Sequence, residues 1–211
     1  MSQINKSLSR NRRLALVGAF SALIIVLSLT NLGFITFSPV ISITILQIPV
    51  ILAATLGGLA EGAFVGAVMG IMSLVKAAMS PSGVLDPLFV NPLCSVLPRI
   101  LLGVVAWLVW KILNFIPKMP KTLSAGIDGF VATFCHTLMV YCCIFIFEGS
   151  DMRAALEQMG MAGVGFLGVV GIGIVSEIFE ALSSTVVCTA VYAGLFIAST
   201  KKSKLSEIKE D

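Results

Sequence analysis

Arg99 is the residue whose type and position point most directly to chemistry. It follows a short polar stretch that begins at Asn91 and opens an apolar run that reaches Trp107. A charge inside a membrane helix costs roughly 2.5–3.5 kcal/mol, so it is usually paired or faces a wet cavity. A guanidinium in a cavity suits a carboxylate or another anionic group. Two interpretations follow for Arg99, a contact to an anionic solute or a salt bridge to a buried glutamate.

Polar side chains in other apolar stretches are predicted to lie at a similar depth. By helical spacing they form two faces and an outer mouth: Glu177, Glu180 and Ser184; Thr133, His136 and Thr137; and, nearer the mouth, Gln47 and Asn91. Such a set predicts a central cavity that opens outward. Each member has a plainer alternative: one glutamate pairs with Arg99, and His136 is a packing residue. Asp128, near the inner end of its helix, is interpreted as structural.

The composition indicates the kind of fold that carries these side chains. The chain is 57% hydrophobic and 12% charged, which excludes an ordinary soluble domain. Because a span needs about 20 apolar residues, the length of 211 residues accommodates roughly six spans with short loops. We therefore predict an all-α integral membrane protein with six transmembrane helices, made of a basic leader (1–13), a membrane domain (14–199) and a tail (200–211).

The distribution of basic residues predicts the topology. Eleven of the fourteen lie in the leader, in the loop around 111–121 and in the tail. The positive-inside rule places all three segments, and therefore both termini, in the cytoplasm. These residues flank membrane segments and form no patch with aromatic residues, so nucleic acid is not an expected partner.

The helices are predicted at 14–31, at 44–56, from the Gly57-Gly58 turn to 76–80, from the end of the 81–91 loop to 115, at 123–147, and in a last stretch that ends at 199. The run 159–199 exceeds one span, so part of it is expected to lie in the interface or to re-enter, with 160–173 as a flexible lid or a helix start.

Glycines four apart, at 62, 66 and 70, predict a close-packing face on the third helix. A stripe of small residues on the first helix, which includes Ala15 and Ala19, predicts close approach by another helix, inside or outside this chain.

The motifs that are missing from the sequence narrow the function. The sequence has no GxxxxGK[ST] loop, so ATP hydrolysis by that route is excluded. One histidine and no HExxH argue against a metalloenzyme, and no convincing nucleophile and base pair appears. The five cysteines form no CxxC pair and are interpreted as packing residues. A solute-capture protein and a stand-alone secondary transporter or channel both fit.

Four stretches resemble a known family. They are SITILQIPVI at 42–51, LGG at 56–58 with EGAFVG at 61–66, LPRILLG at 97–103, and Glu180-Ala181 in the last helix. With them, the chain resembles the substrate-binding S component of energy-coupling factor (ECF) vitamin transporters over nearly all of 14–199. The stretch around Gln47 is most similar to the pantothenate type.

The resemblance implies a bacterial cell-membrane subunit without enzymatic activity or a cofactor of its own. It implies capture of a water-soluble vitamin from outside, and partnership with a transmembrane coupling subunit and two cytoplasmic ATPase subunits that use the ATP. It assigns Ala15 and Ala19 to docking on the coupling subunit. The expected substrate-binding residues are Gln47, Asn91, Arg99, His136, Thr137, Glu177 and Glu180.

Two departures from the pantothenate pattern bear on the substrate. Gln47 stands where histidine is common, and His136-Thr137 stands where asparagine and threonine are common. The resemblance makes pantothenate the first expectation, and its carboxylate would suit Arg99. Folate, lipoate and biotin also carry a carboxylate, whereas riboflavin does not.

Overall fold

The fold is a bundle of long apolar helices, described by a computed structural model for residues 10–30, 33–36, 42–81 and 85–207. The elements are α1 (Arg10–Leu29), β1 (Phe34–Thr36), β2 (Ser42–Thr44), α2 (Gln47–Leu56), α3 (Leu59–Met79), α4 (Pro92–Ser95), α5 (Leu97–Phe115), α6 (Lys121–Phe147), α7 (Gly149–Gln158) and α8 (Phe166–Glu207), with a 3-10 turn at Asp86–Val90. The two short strands pair antiparallel, Ile35 opposite Ile43.

Five segments of the described chain are long and apolar enough to cross a membrane. They are Arg10–Leu29, Leu59–Met79, Pro92–Phe115, Lys121–Phe147 and Ser176–Ala198. The remaining apolar helix, α2, has ten residues and is therefore about 15 Å long, half the thickness of a bilayer core. The predicted all-α membrane architecture is confirmed, but five rather than six of the described segments reach spanning length, and the remaining apolar helix, α2, is shorter.

The last helix differs most from its prediction. It is one continuous helix of 42 residues, about 63 Å long, and the described chain makes no re-entrant turn after it begins. It begins at Phe166, after Gly163 at φ 81°, so the 160–173 segment contains a helix start. It continues to Glu207 through most of the predicted tail, and α1 begins at Arg10, inside the predicted leader. Residues 1–9 and 208–211 lie outside the described part.

The glycines of α3 form the predicted close-packing face. A Cβ on Gly62 would clash with Ala54 of α2, and one on Gly66 or Gly70 would clash with the α5 backbone at Arg99 or with Val96 just before α5. Side chains larger than hydrogen would separate these helices. The α3 face therefore sets the position of the backbone that carries Arg99.

A second close contact joins α6 to α8 and was not predicted from the sequence. Gly129 of α6 lies against the backbone of Ser184, so a Cβ there would approach the Ser184 carbonyl oxygen to 2.8 Å. One turn further on, the Thr133 hydroxyl donates a hydrogen bond to the Ser184 hydroxyl at 3.0 Å. This contact holds the polar face of α6 against that of α8.

Candidate functional site

The backbone just before α5 is shaped by Pro98. Proline has no N–H to donate to the carbonyl four residues earlier, which here belongs to Cys94. The freed Cys94 carbonyl accepts a hydrogen bond from Nη1 of Arg99 at 2.7 Å, and the helix is interrupted at Val96, between α4 and α5. The predicted single fourth helix is therefore two helices, and the break positions the guanidinium of Arg99.

Arg99 is buried, with 8% of its surface exposed. Its guanidinium carbon lies 4.9 Å from the ring centroid of Phe89, and its Nε has no hydrogen-bond partner in the described protein. Glu180 and His136 are close enough to interact with it electrostatically. Among the described residues, no ion pair joins Arg99 to Glu177 or Glu180. A direct salt bridge is therefore not formed in this structure, where a carbonyl and an aromatic ring contact the guanidinium.

Glu180 is held by groups at the start of α2. Its carboxylate accepts hydrogen bonds from the Thr44 N–H at 2.6 Å and from Nε2 of Gln47 at 3.1 Å. The Thr44 hydroxyl in turn donates to Oε1 of Gln47 at 2.8 Å. Gln47 is fully buried and Glu180 is 8% exposed. This network joins β2 and the start of α2 to α8. Its hydrogen bonds are strong because the acceptor is a carboxylate and the surroundings are buried.

Glu177 lies one turn before Glu180 on α8 and is 5% exposed. Its Oε1 has no partner in the described protein, and the Thr137 hydroxyl of α6 lies beside its carboxylate. Tyr141 is close to both glutamates, and its hydroxyl lies so near Gly173 that a Cβ there would clash. A crevice of about 20 Å³ between α6 and α8 is lined by Thr137, Tyr141, Gly173, Glu177 and apolar neighbours.

His136 of α6 is buried near Arg99. It is 5% exposed, and neither ring nitrogen has a hydrogen-bond partner in the described protein. A buried imidazole without a partner loses its hydration without compensation, so such a side chain calls for a specific explanation.

Asn91 has a different environment from the other predicted site residues. Its side-chain oxygen accepts from the Leu93 N–H at 2.9 Å, which makes it the N-cap of α4. Its Nδ2 donates to Oε1 of Glu148 at 2.6 Å. Both polar ends of the Asn91 amide are therefore engaged within the protein, in contacts that position α4 and the end of α6.

The structure therefore brings together six of the seven predicted substrate-binding residues from four helices: Gln47, Arg99, His136, Thr137, Glu177 and Glu180. Sequence reasoning missed four groups that complete the cluster: the Thr44 N–H, the Cys94 carbonyl, Phe89 and Tyr141. The sequence indicates only one of these four groups, the Cys94 carbonyl, because Pro98 leaves it without a helical donor. The cluster combines a guanidinium, two carboxyl groups and an imidazole in a buried setting, and the guanidinium is the group in it that can bind an anion.

Comparison with known proteins identifies the family. The family model for the ECF transporter substrate-specific component matches residues 12–192. A pantothenic acid transporter PanT of Lactococcus lactis subsp. cremoris is 30% identical over 166 residues, which are 72% of this chain and 81% of that protein. A pantothenate transporter PanT of Leuconostoc mesenteroides subsp. mesenteroides is 29% identical over 194 residues, 87% of this chain and 91% of that protein. A component of this family is a transporter subunit of the cell membrane and not an enzyme. Because the family match covers most of the sequence, the chain belongs to the family of ECF transporter substrate-specific components.

Proposed function

We propose that this chain captures pantothenate from outside the cell and delivers it through an ATP-driven ECF importer. The observation that carries the proposal is a set of buried polar atoms without partners in the described protein: Nε of Arg99, both ring nitrogens of His136 and Oε1 of Glu177. Such atoms cost stability until something satisfies them. Two relatives named for pantothenate support the choice of ligand.

The chemistry of pantothenate fits the order of these groups. It has a carboxylate at one end, an amide in the middle and two hydroxyls at the other end. We place the carboxylate at the Nε edge of Arg99, where a guanidinium can bind it through two parallel hydrogen bonds. The hydroxyls then lie toward Glu177 and Thr137, whose oxygens accept hydrogen bonds, and His136 lies between the two ends. The reverse orientation would bring the ligand carboxylate against Glu177 and away from the guanidinium.

The proposed orientation has six crossings and both termini in the cytoplasm. The basic residues of the leader, the loop before α6 and the tail support it through the positive-inside rule. The second crossing is made of β2, about 10 Å of extended chain, a turn at Leu46 and about 15 Å of α2. Non-helical backbone at membrane depth must be satisfied by protein, and the Thr44 N–H is satisfied by Glu180.

The proposed docking face for the coupling subunit lies on α1. Ala15, Gly18, Ala19 and Ala22 are all exposed, on the side of α1 away from the buried Ile24 and Ser28. A Cβ added at Gly18 would meet no atom within 4 Å. Small residues allow a neighbouring helix to approach closely, so this face suits a helix of another subunit. Partner ATPase subunits supply the energy, since this chain has no phosphate-binding loop.

Uptake into vesicles tests the proposal. The chain reconstituted alone should bind labelled pantothenate and accumulate none inside. The chain reconstituted with a coupling subunit and its ATPases should accumulate pantothenate, and only when ATP is present on the side of the ATPases. Accumulation by the chain alone would overturn the importer role and favour a stand-alone transporter. Binding and uptake of a different vitamin in place of pantothenate would support the importer role but show that pantothenate is not the substrate.

A further inference from the structure

A second polar cluster lies below the substrate site, between α6 and α8. Asp128 of α6 is eight residues before His136, about 12 Å toward the start of the helix. It is fully buried, and neither carboxylate oxygen has a partner in the described protein. Tyr192 of α8 is 6% exposed, and its hydroxyl is also unpartnered there. Asp128 lies close enough to Cys188 and Tyr192 to interact with both electrostatically.

Uncharged groups from α2, α5 and α6 surround this cluster. Ala125 and Ala132 flank Asp128 on α6 and are at most 1% exposed. The ring of Tyr192 lies 4.8 Å from that of Trp110 on α5, and the hydroxyl of Thr55 on α2 lies beside the Tyr192 hydroxyl.

The titratable groups that face Asp128 in the described protein are Cys188 and Tyr192, both from α8. The groups that α2 and α5 bring to the cluster, Thr55 and Trp110, carry no charge. Lys121, two turns before Asp128 on α6, is engaged elsewhere: its Nζ donates to Oδ1 of Asn114 and lies 5.6 Å from the Trp110 ring centroid.

A buried carboxylate in such surroundings calls for a positive charge. Buried charges are normally paired, and an ionisable residue inside a membrane segment marks a functional site by default. No described basic side chain pairs with Asp128, which is 0% exposed within this chain. Because the carboxylate is enclosed by protein, the candidates are the smallest monovalent cations, a proton and Na⁺.

We propose that Asp128 and Tyr192 form an internal site, separate from the substrate pocket, that takes up one small monovalent cation, a proton or Na⁺. The carboxylate supplies the negative charge and the Tyr192 hydroxyl supplies a further oxygen. Because α6 and α8 also carry His136 and Glu180, the cation stabilises the helix pair that forms one wall of the substrate site.

Thermal unfolding of the purified full chain in detergent tests this site. The unfolding midpoint is measured with NaCl against choline chloride at equal ionic strength, and across a pH series without sodium. The variants are Asp128→Asn, which removes the charge but keeps the shape, and Asp151→Asn, which changes an exposed aspartate of α7 and serves as the matched control.

If Na⁺ is the cation, replacing choline chloride by NaCl raises the unfolding midpoint of the unmodified chain and of Asp151→Asn. The rise is roughly 5–10 °C when the Na⁺ concentration is a hundred times its Kd, and the midpoint of Asp128→Asn does not change. If a proton is the cation, sodium has no effect. The unmodified chain then loses stability as the pH rises, because the buried carboxylate must release its proton, and Asp128→Asn lacks that loss. Identical responses of the unmodified chain and Asp128→Asn to both titrations would overturn the proposal.

Infrared spectroscopy of the unmodified chain with isotope-labelled aspartate keeps the proposal testable if Asp128→Asn does not fold. The proposal requires either a protonated aspartic acid carbonyl band at neutral pH or a carboxylate band that shifts on adding Na⁺. Absence of both features would overturn it.

Discussion

Replacing Arg99 by alanine is expected to weaken pantothenate binding far more than binding of pantothenol, in which a hydroxymethyl group replaces the carboxylate. Arg99 is 8% exposed, one of its N–H groups is committed to Cys94, and its Nε has no partner in the described protein. Removing one member of a buried charge pair costs about 2–5 kcal/mol, or roughly 30- to 5,000-fold in Kd. A neutral hydrogen bond is worth about 0.5–1.5 kcal/mol, so the loss for pantothenol is about tenfold or less.

Isothermal titration of the purified chain measures both losses. Arg99→Lys keeps the charge but loses the fork of two parallel donors, so its Kd for pantothenate should fall between those of the unmodified chain and Arg99→Ala. Arg153→Ala removes an exposed arginine of α7 and should bind both ligands normally. Because Arg99 also holds the Cys94 carbonyl, each variant must first show an intact unfolding transition. Equal losses for the two ligands in a folded Arg99→Ala protein would refute the carboxylate assignment and make Arg99 a structural residue.

Three further substitutions separate docking, packing and capping. Ala15→Leu should abolish ATP-driven uptake by the assembled importer while the isolated chain binds pantothenate normally; uptake that persists would place the docking face elsewhere. Gly66→Ala forces a Cβ against the Arg99 carbonyl and should cost about 1–3 kcal/mol, lowering the unfolding midpoint by roughly 2–12 °C; an unchanged midpoint would show that α3 and α5 can separate freely. Asn91→Ala removes the α4 cap and the bond to Glu148 and should lower the midpoint by a few degrees, with pantothenate affinity changed about twofold at most. A large loss of pantothenate affinity in Asn91→Ala would indicate instead that Asn91 contacts the substrate.

The assembly of the site was largely predictable because polar residues are rare in membrane helices. Each polar side chain in an apolar stretch is costly and so tends to face the interior of the bundle. That argument selects Gln47, Arg99, His136 and Glu180 from the sequence, and the structure buries all four. The α3 glycines were predictable for a related reason, since their spacing of four places them on one face.

What the sequence could not provide were contacts made by the backbone. The amide of Thr44 binds Glu180, and the carbonyl of Cys94 takes the place expected of a glutamate beside Arg99. Side-chain types do not reveal such partners, although Pro98 indicates that one carbonyl must lack its helical partner. The cap and the Glu148 contact of Asn91 were not predictable, because a cap and a buried ligand contact use the same residue type.

The length of α8 was missed for a different reason. Hydropathy identifies only the apolar part of a helix, here Ser176–Ala198. Residues 199–207 are polar but contain good helix formers, lysine, leucine and glutamate. The helix therefore continues into a segment that composition alone marked as a tail.

The central claim, capture of pantothenate by this chain, is tested most directly by native mass spectrometry after competition. The detergent-purified protein is incubated with an equimolar mixture of pantothenate, folate, riboflavin, lipoate and biotin, then washed and released from detergent in the spectrometer. The five ligands differ in mass, so the mass of the complex identifies the retained ligand. We predict a dominant species carrying one pantothenate per chain. Retention of another vitamin in preference to pantothenate, or of none, would contradict the account.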